Sequence, residues 1–363
     1  MIRGRVRMRS SLFILVAALF LSASCCLPTR IRHGFIHTPR PLWTTDLRGL
    51  GFPSNRDHPT GVLTAINQIA FGSNAELVVI GDEDPLPDAR GQVRAYVLEA
   101  KTGQVLTQKS WMAKGRPSLF ATAKGQYVAD TSNGLVLYSS GLERILARYD
   151  DAAEMASPDG RVVTVWGGVP GRAVTTFLDA DTLRPTGAEF INKAIDSVAL
   201  DRIAYVAFYG SNAPHASVLI DDAHEEVKPV DTDCREVRPR FVSQGVLAVF
   251  GCNRLKVITD QGQVLFTTPA LDSSRWVAPA SRDGRRFAVI DTYESEAHWS
   301  TVCFERVRVF DTTTGHVSFR AEFHDLRGTL GGSGVALSPD GSLIAVNSLG
   351  IVRVFAIPVS GDR

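Results

Sequence analysis

The chain has 363 residues, 44% of them hydrophobic and 21% charged, the balance of a folded globular protein and not of a disordered one. Its 39 Lys and Arg stand against 38 Asp and Glu, so no charge excess points to a nucleic acid as partner.

Residues 1–25 carry Arg3, Arg5, Arg7 and Arg9 with no acidic residue, then an apolar run from Leu12 to Leu21. This is the order of a secretory signal peptide, and the run is about half the roughly 20 apolar residues that a spanning helix needs. The chain is expected to be exported, as a periplasmic or secreted protein. Ser22-Ala23-Ser24 admits two readings. It is either the small-residue site of ordinary signal cleavage or the approach to a lipid-modified Cys25 and so to membrane attachment, since LSASC resembles the bacterial lipobox. That pattern prefers a large aliphatic residue where Ser22 stands. Residues 26–40, CLPTRIRHGFIHTPR, have little apolar periodicity and read as a tether to a domain spanning 41–358, with 359–363 as a tail.

Beyond residue 60, short apolar runs alternate with turn residues, and no window sustains the helical i, i+3, i+4, i+7 pattern. An all-β fold follows. Seven units recur with a period of about 40 residues, the signature of a β-propeller. Their second strands are ELVVIG, QYVADT, RVVTVWG, RIAYVAFYG, VLAVFG, RFAVID and LIAVNS. The third strands are VRAYVLE, LVLYSS, AVTTFLD, ASVLIDD, LKVITD, RVRVFDT and IVRVFAI. Six units add a fourth strand, and the seventh does not. The unpaired PLWTTDLRG at 41–49 is expected to supply it and to join the two ends of the chain.

The segments ASPDGRVVTVW, ASRDGRRFAVI and LSPDGSLIAVN resemble the turn-then-strand signature of WD40-like and YVTN-type seven-bladed β-propeller repeats, and VRVFDTTTGHV is similar to a WD40 third strand and turn. The resemblance implies a fold far more specifically than a function. There is no Trp-Asp pair and no regular Gly-His pair, so the polar network of WD40 repeats is not implied. Asp-Gly in these segments is expected to form a two-residue hairpin turn with positive φ.

Of the five Cys, Cys234 and Cys252 lie nine residues either side of position 243, where the fifth unit is expected to turn. Facing positions on paired strands bring Cβ atoms to about 4.5 to 5.5 Å, near disulfide range, and an exported protein meets oxidising conditions. A Cys234–Cys252 bridge is expected, with two buried thiols as the alternative. Cys303 reads as a core residue of the sixth unit.

No phosphate loop, Cys-x-x-Cys pair or Gly-x-Ser-x-Gly elbow occurs, and no cofactor is implied. The loop-rich face of the propeller is expected to carry His58, His215, His298 and His324 together with Trp111, Trp276 and Trp299, the histidines as solvated loop residues, with a zinc or copper site as the alternative. At the channel mouth, Glu154, Asp196 and Glu236 would start the innermost strands of three successive blades, with Arg238 close by. They would either hold a hard cation or cationic ligand, or simply end short strands in solvent. The expected function is a binding or assembly scaffold for a protein, peptide or glycan. The alternative is a propeller hydrolase or lactonase with a cation in the channel. Converging carboxylates would favour the enzyme, and an apolar or aromatic patch on the loop face would favour the scaffold.

Overall fold

The computed structural model describes residues 26, 28–52, 66–82, 90–114, 118–169, 171–207, 215–222, 225–231, 234, 236–270, 279–294, 302–323, 334–348 and 350–358. They form seven sheets. Blade one is β2 (Ile66–Phe71), β3 (Glu76–Asp82), β4 (Arg90–Glu99) and β5 (Val105–Lys114), and blade two is β6 (Leu119–Ala121), β7 (Tyr127–Thr131), β8 (Gly134–Tyr138) and β9 (Ile145–Tyr149). Blade three is β10 (Ala153–Ala156), β11 (Val162–Val169), β12 (Arg172–Asp179) and β13 (Pro185–Ile191), and blade four is β14 (Ser197–Ala199), β15 (Arg202–Ala207), β16 (Ser217–Asp222) and β17 (Glu225–Asp231). Blade five is β18 (Arg238–Ser243), β19 (Val246–Gly251), β20 (Arg254–Thr259) and β21 (Val264–Pro269). Blade six is β22 (Arg286–Glu294), β23 (Val302–Asp311) and β24 (Val317–Phe323), with one bridge, Ala280 to Phe287, on its inner side among the described residues.

Blade seven joins the two ends of the chain, in the order β1 (Trp43–Asp46), β27 (Ile351–Ala356), β26 (Leu343–Ser348), β25 (Val335–Leu337). The expected closure is therefore present. Trp43 faces Val354 and Asp46 faces Ile351 in an antiparallel ladder, which Leu42 N extends to Val354 O at 2.7 Å and Leu47 N to Gly350 O at 2.9 Å. Trp43 also reaches the next blade, its Nε1 donating to Ala100 O at 2.8 Å. A turn of 3-10 helix, Leu47–Leu50, follows, and the Tyr96 hydroxyl donates to Leu50 O.

A four-stranded sheet has two apolar faces that it cannot cover alone, so neighbouring blades must cover them. Each of the seven interfaces has its own buried cluster. The one between blades seven and one holds Trp43, Leu47, Phe52, Leu77, Leu98, Val352 and Val354 among others, so Trp43 of the closing strand and Leu47 just after it are part of that core. Among the described residues, the cluster between blades three and four is the smallest: Val162, Phe177, Ala188, Phe190, Val198 and Ile203.

The Ser-x-Asp-Gly turns are built alike in blades three, six and seven. Ser157, Ser281 and Ser338 each donate from Oγ to the Asp two residues on, at 2.6, 2.6 and 2.8 Å, and accept the N–H five residues on. The Asp carboxylate takes the next free N–H, from Arg161, Arg285 and Ser342. Only the Gly of each turn has positive φ, 70° at Gly160 and 69° at Gly284 and Gly341. The expected two-residue turn with both residues at positive φ is thus corrected: the side-chain bonds hold Asp on the ordinary side of φ and leave the left-handed step to Gly. A two-residue turn of the expected kind occurs instead at Cys252-Asn253, with φ of 49° and 58°.

Two disulfides are present. Cys234–Cys252 forms as expected, with Cα atoms 5.7 Å apart. Its geometry differs from the expected one, because the ladder pairs Arg238 with Phe250 and Gln244-Gly245 make the turn, so the two Cys are not directly opposed. The bridge instead ties the approach to β18 to the Cys252-Asn253 turn. Cys303 is buried, yet it is no mere core residue, because it is bonded to Cys26.

That bond changes the picture of residues 28–40, which lie against blade six. Residues 28–33 are helical, and Gly34, at φ 70°, ends the turn with its N–H on Arg30 O at 2.8 Å. Arg30 pairs with Glu322 at 2.5 Å, and Arg306 donates to the carbonyls of His33 and Gly34 and to Glu322 at 3.2 Å. Thr38 both donates to Glu322 O at 2.9 Å and accepts from Glu322 N at 3.0 Å.

Candidate functional site

Strand order gives the propeller two unlike faces. Turns between first and second strands crowd one mouth of the channel, the turn face. The starts of the first strands and the links between second and third strands share the other, the loop face.

Side chains that cross between blades stitch the turn face. Arg282 of blade six donates to Phe71 O at 2.9 Å and Gly72 O at 2.8 Å in blade one, and lies 3.5 Å from Ala123 O in blade two. Burial depresses its pKa, opposed by Tyr127 and Asp181. Gln244 of blade five donates to Asp159 of blade three at 2.8 Å, and Asp340 N of blade seven to Asn74 of blade one at 3.3 Å. Arg282 stands where the sibling turns have Pro158 and Pro339, a departure visible in the sequence.

The loop face holds the four expected mouth residues. Glu154 is exposed near the start of β10, and partial desolvation raises its pKa. Asp196 precedes β14, half-buried, with its carboxylate accepting from Val206 N at 3.2 Å and its carbonyl from Arg240. Glu236 and Arg238 are exposed at the entry to β18. The four stand at or just before the first strands of blades three, four and five, and Asp196 is bonded to its own sheet. Among the described residues, no three or more His, Cys, Asp or Glu side chains gather in a way that could hold a metal ion.

Other groups at this face were not singled out in the sequence. Asp130, in β7, is buried, and its carboxylate accepts Ala153 N at 2.9 Å beside Glu154. Desolvation pushes its pKa up to about 6, against the bonds from Ala153 and Ser118. Its only sequence signal was a carboxylate inside the apolar strand QYVADT. Lys193 donates to the Tyr205 hydroxyl at 2.9 Å and pairs with Asp221 at 3.0 Å, which raises its pKa. Of the expected loop residues, His215 is exposed as anticipated. Trp111 is not a loop residue: it lies in β5, packs on the core between blades one and two and donates to Asp130 O at 2.9 Å. Cys25, His58, His298, His324, Trp276 and Trp299 lie outside the described residues.

The loop face of blade three also carries exposed apolar side chains, Trp166 on one side of the sheet and Val169 and Ile191 on the other. β11 and β12 extend into a hairpin in which Trp166 is 62% and Val169 67% exposed, and Ile191 ends the adjacent strand 43% exposed. Gly167 and Gly168, between Trp166 and Val169, add no side chain to cover either.

Among solved structures, the chain is similar to BamB from Moraxella catarrhalis at 12% identity, covering 82% of this chain and 85% of that one with a TM-score of 0.41. It is also similar to a putative TolB from Agrobacterium tumefaciens (14% identity, 70% and 95% covered, TM-score 0.41) and to TolB from Acinetobacter baumannii (11%, 76% and 79%, TM-score 0.39). No protein-family model matches the chain, and no curated protein matches it.

Proposed function

We propose that the protein is an exported binding scaffold that takes a protein, peptide or glycan on its loop face, with blade three as the contact. The observation that carries this reading is the exposed Trp166 and Val169 on a hairpin that stands out at that face. A large aromatic held on a strand, with little side-chain freedom left to lose, is the residue type that dominates binding energy at interfaces. Exposed polar groups stand at first-strand starts on the same face, Glu154 in blade three and Glu236 and Arg238 in blade five. Two disulfides fit an oxidising compartment and agree with the signal-like N-terminus.

The test is affinity capture of the mature protein from its native envelope, with the parent and Trp166→Ala side by side. Substituting an interface anchor costs about 2 kcal/mol or more, so the specific partner should fall by roughly thirtyfold with Trp166→Ala and be unaffected by a chelator. A partner retained equally by both would reject blade three as the contact. Hydrolysis of a lactone or ester that a chelator abolishes would favour the enzyme instead.

A further inference from the structure

Four of the five Cys are used by the two bridges, Cys26–Cys303 and Cys234–Cys252. Cys25 therefore has no Cys of its own chain left to pair with, and a leftover Cys in an exported protein calls for another fate. Its place after Leu21-Ser22-Ala23-Ser24 is the position that a lipobox modifies.

The next residue, Cys26, is bonded to blade six. The chain is consequently fixed to the propeller from residue 26, the neighbour of Cys25 in sequence, and not through a free tether of residues 26–40. Arg30 is layered between two rings, its guanidinium 4.8 Å from the Phe304 ring centre and 5.3 Å from that of Phe35. Phe304 in turn stacks on Tyr293 at 4.5 Å. The stack ends outside the protein, with Phe35 75% and Ile31 70% exposed. These are two of the most exposed large apolar side chains described, and they lie within ten residues of Cys25. Arg32 lies between them in sequence and Arg40 follows, the composition of a segment that rests at a lipid headgroup boundary.

We infer that Cys25 is acylated and that the Cys26–Cys303 bridge makes blade six the edge by which the propeller sits on a lipid leaflet, with Phe35 and Ile31 in the surface layer. The Cys25 sulfur displaces glycerol phosphate from a glycerophospholipid. An S–C bond to the diacylglyceryl group forms as the C–O bond to phosphate breaks, and the thiol proton leaves with the released phosphate. Water then hydrolyses the Ser24–Cys25 peptide bond, making Cys25 the first residue. Blade three lies almost opposite blade six in a ring of seven, so this seat turns the Trp166 hairpin away from the membrane. The inference rests on the export reading above, and its test separates the two.

The full chain is produced with its own N-terminus in a bacterial host, and its N-terminal peptide is weighed. A diacylglyceryl adduct on an N-terminal Cys25 is expected. Residues 1–24 still attached would refute export itself. A cleaved but unacylated Cys25, or a Cys25–Cys25 dimer, would overturn this inference while leaving export standing. The acylated protein is then placed in phosphatidylethanolamine–phosphatidylglycerol vesicles containing brominated acyl chains. Relative to the parent protein, the added fluorescence of Phe35→Trp should be quenched and that of Val169→Trp should not. Quenching at Phe35→Trp should diminish when Cys26→Ser and Cys303→Ser remove the bridge. An unquenched Phe35→Trp, or equal quenching at both positions, would overturn the seat.

Discussion

The two sides of this ring are built differently. Around blades six, seven and one, the N-terminal residues lie over the sheets: β1 completes one blade, Trp43 reaches the next, and residues 28–38 are bonded to a third. Around blades three and four no terminal segment intervenes among the described residues, the shared cluster is the smallest described, and the β11–β12 hairpin leaves Trp166 and Val169 in solvent. A closed ring needs its seam held, and the seam is where the chain ends meet. The far side is then free to present apolar surface for contact. The difference teaches that the chain ends reinforce one half of a repeat architecture, while the opposite half, where the proposed contact lies, is built from the repeat alone.

Substitutions should divide accordingly. Deleting residues 41–48 removes the ladder to β27 together with Trp43 and Leu47, and should abolish a cooperative melt. Trp43→Ala alone should cost about 3 to 5 kcal/mol, read as a lower denaturant midpoint. A melt unchanged by the deletion would contradict the seam. Midway around the ring, Cys252→Ser opens an 18-residue separation in blade five and should cost about 3 kcal/mol under non-reducing conditions. Under reducing conditions, parent and variant should converge.

Arg282→Ala removes a guanidinium that links blade six to blade one, leaving the carbonyls of Phe71 and Gly72 without that donor. The loss should be about 2 kcal/mol, and Arg282→Pro, which restores the sibling turn sequence, should not recover it.

Asp130 provides a test that depends on pH. Its folded pKa, about 6, is above the ordinary 3.8, so the folded state holds the proton more tightly than the unfolded state does. The stability this group contributes is fully present below about pH 4 and is lost as pH rises through about 6. Asp130→Asn should therefore be more stable than the parent at pH 7 to 8, by on the order of 2 to 3 kcal/mol, with the gain vanishing near pH 4. A gain independent of pH would contradict a buried, raised carboxyl. Trp166→Ala should lie at the bottom of the series, within about 0.5 kcal/mol of the parent in stability.

Much of the fold was legible because a propeller repeats its local chemistry. β-branched apolar runs between Gly- and Asp-containing turns located the second and third strands of every blade, and the missing fourth strand after IVRVFAI directed attention to PLWTTDLRG. What stayed hidden depends on contacts between distant blades. Cys26 and Cys303 are 277 residues apart, and no ladder register links them. Residues 28–40 lack apolar periodicity because they are held by Arg30, Arg306 and Glu322 and not by a buried stripe. The candidate site was legible only as a location. Strand starts placed Glu154, Asp196, Glu236 and Arg238 at one mouth, but nothing local told that Asp196 bonds its own sheet or that Asp130 lies beside Glu154.

Native-state hydrogen exchange tests the division most directly, by comparing residues 28–47 with the hairpin tip at 166–172 in the same oxidised protein. The amides of Leu42, Leu47 and Glu322, bonded to Val354, Gly350 and Thr38, should open only with the ring as a whole, while the hairpin tip exchanges orders of magnitude faster. Exchange of residues 28–47 at the hairpin's rate would show that the N-terminal segment does not hold the seam, and would contradict the account.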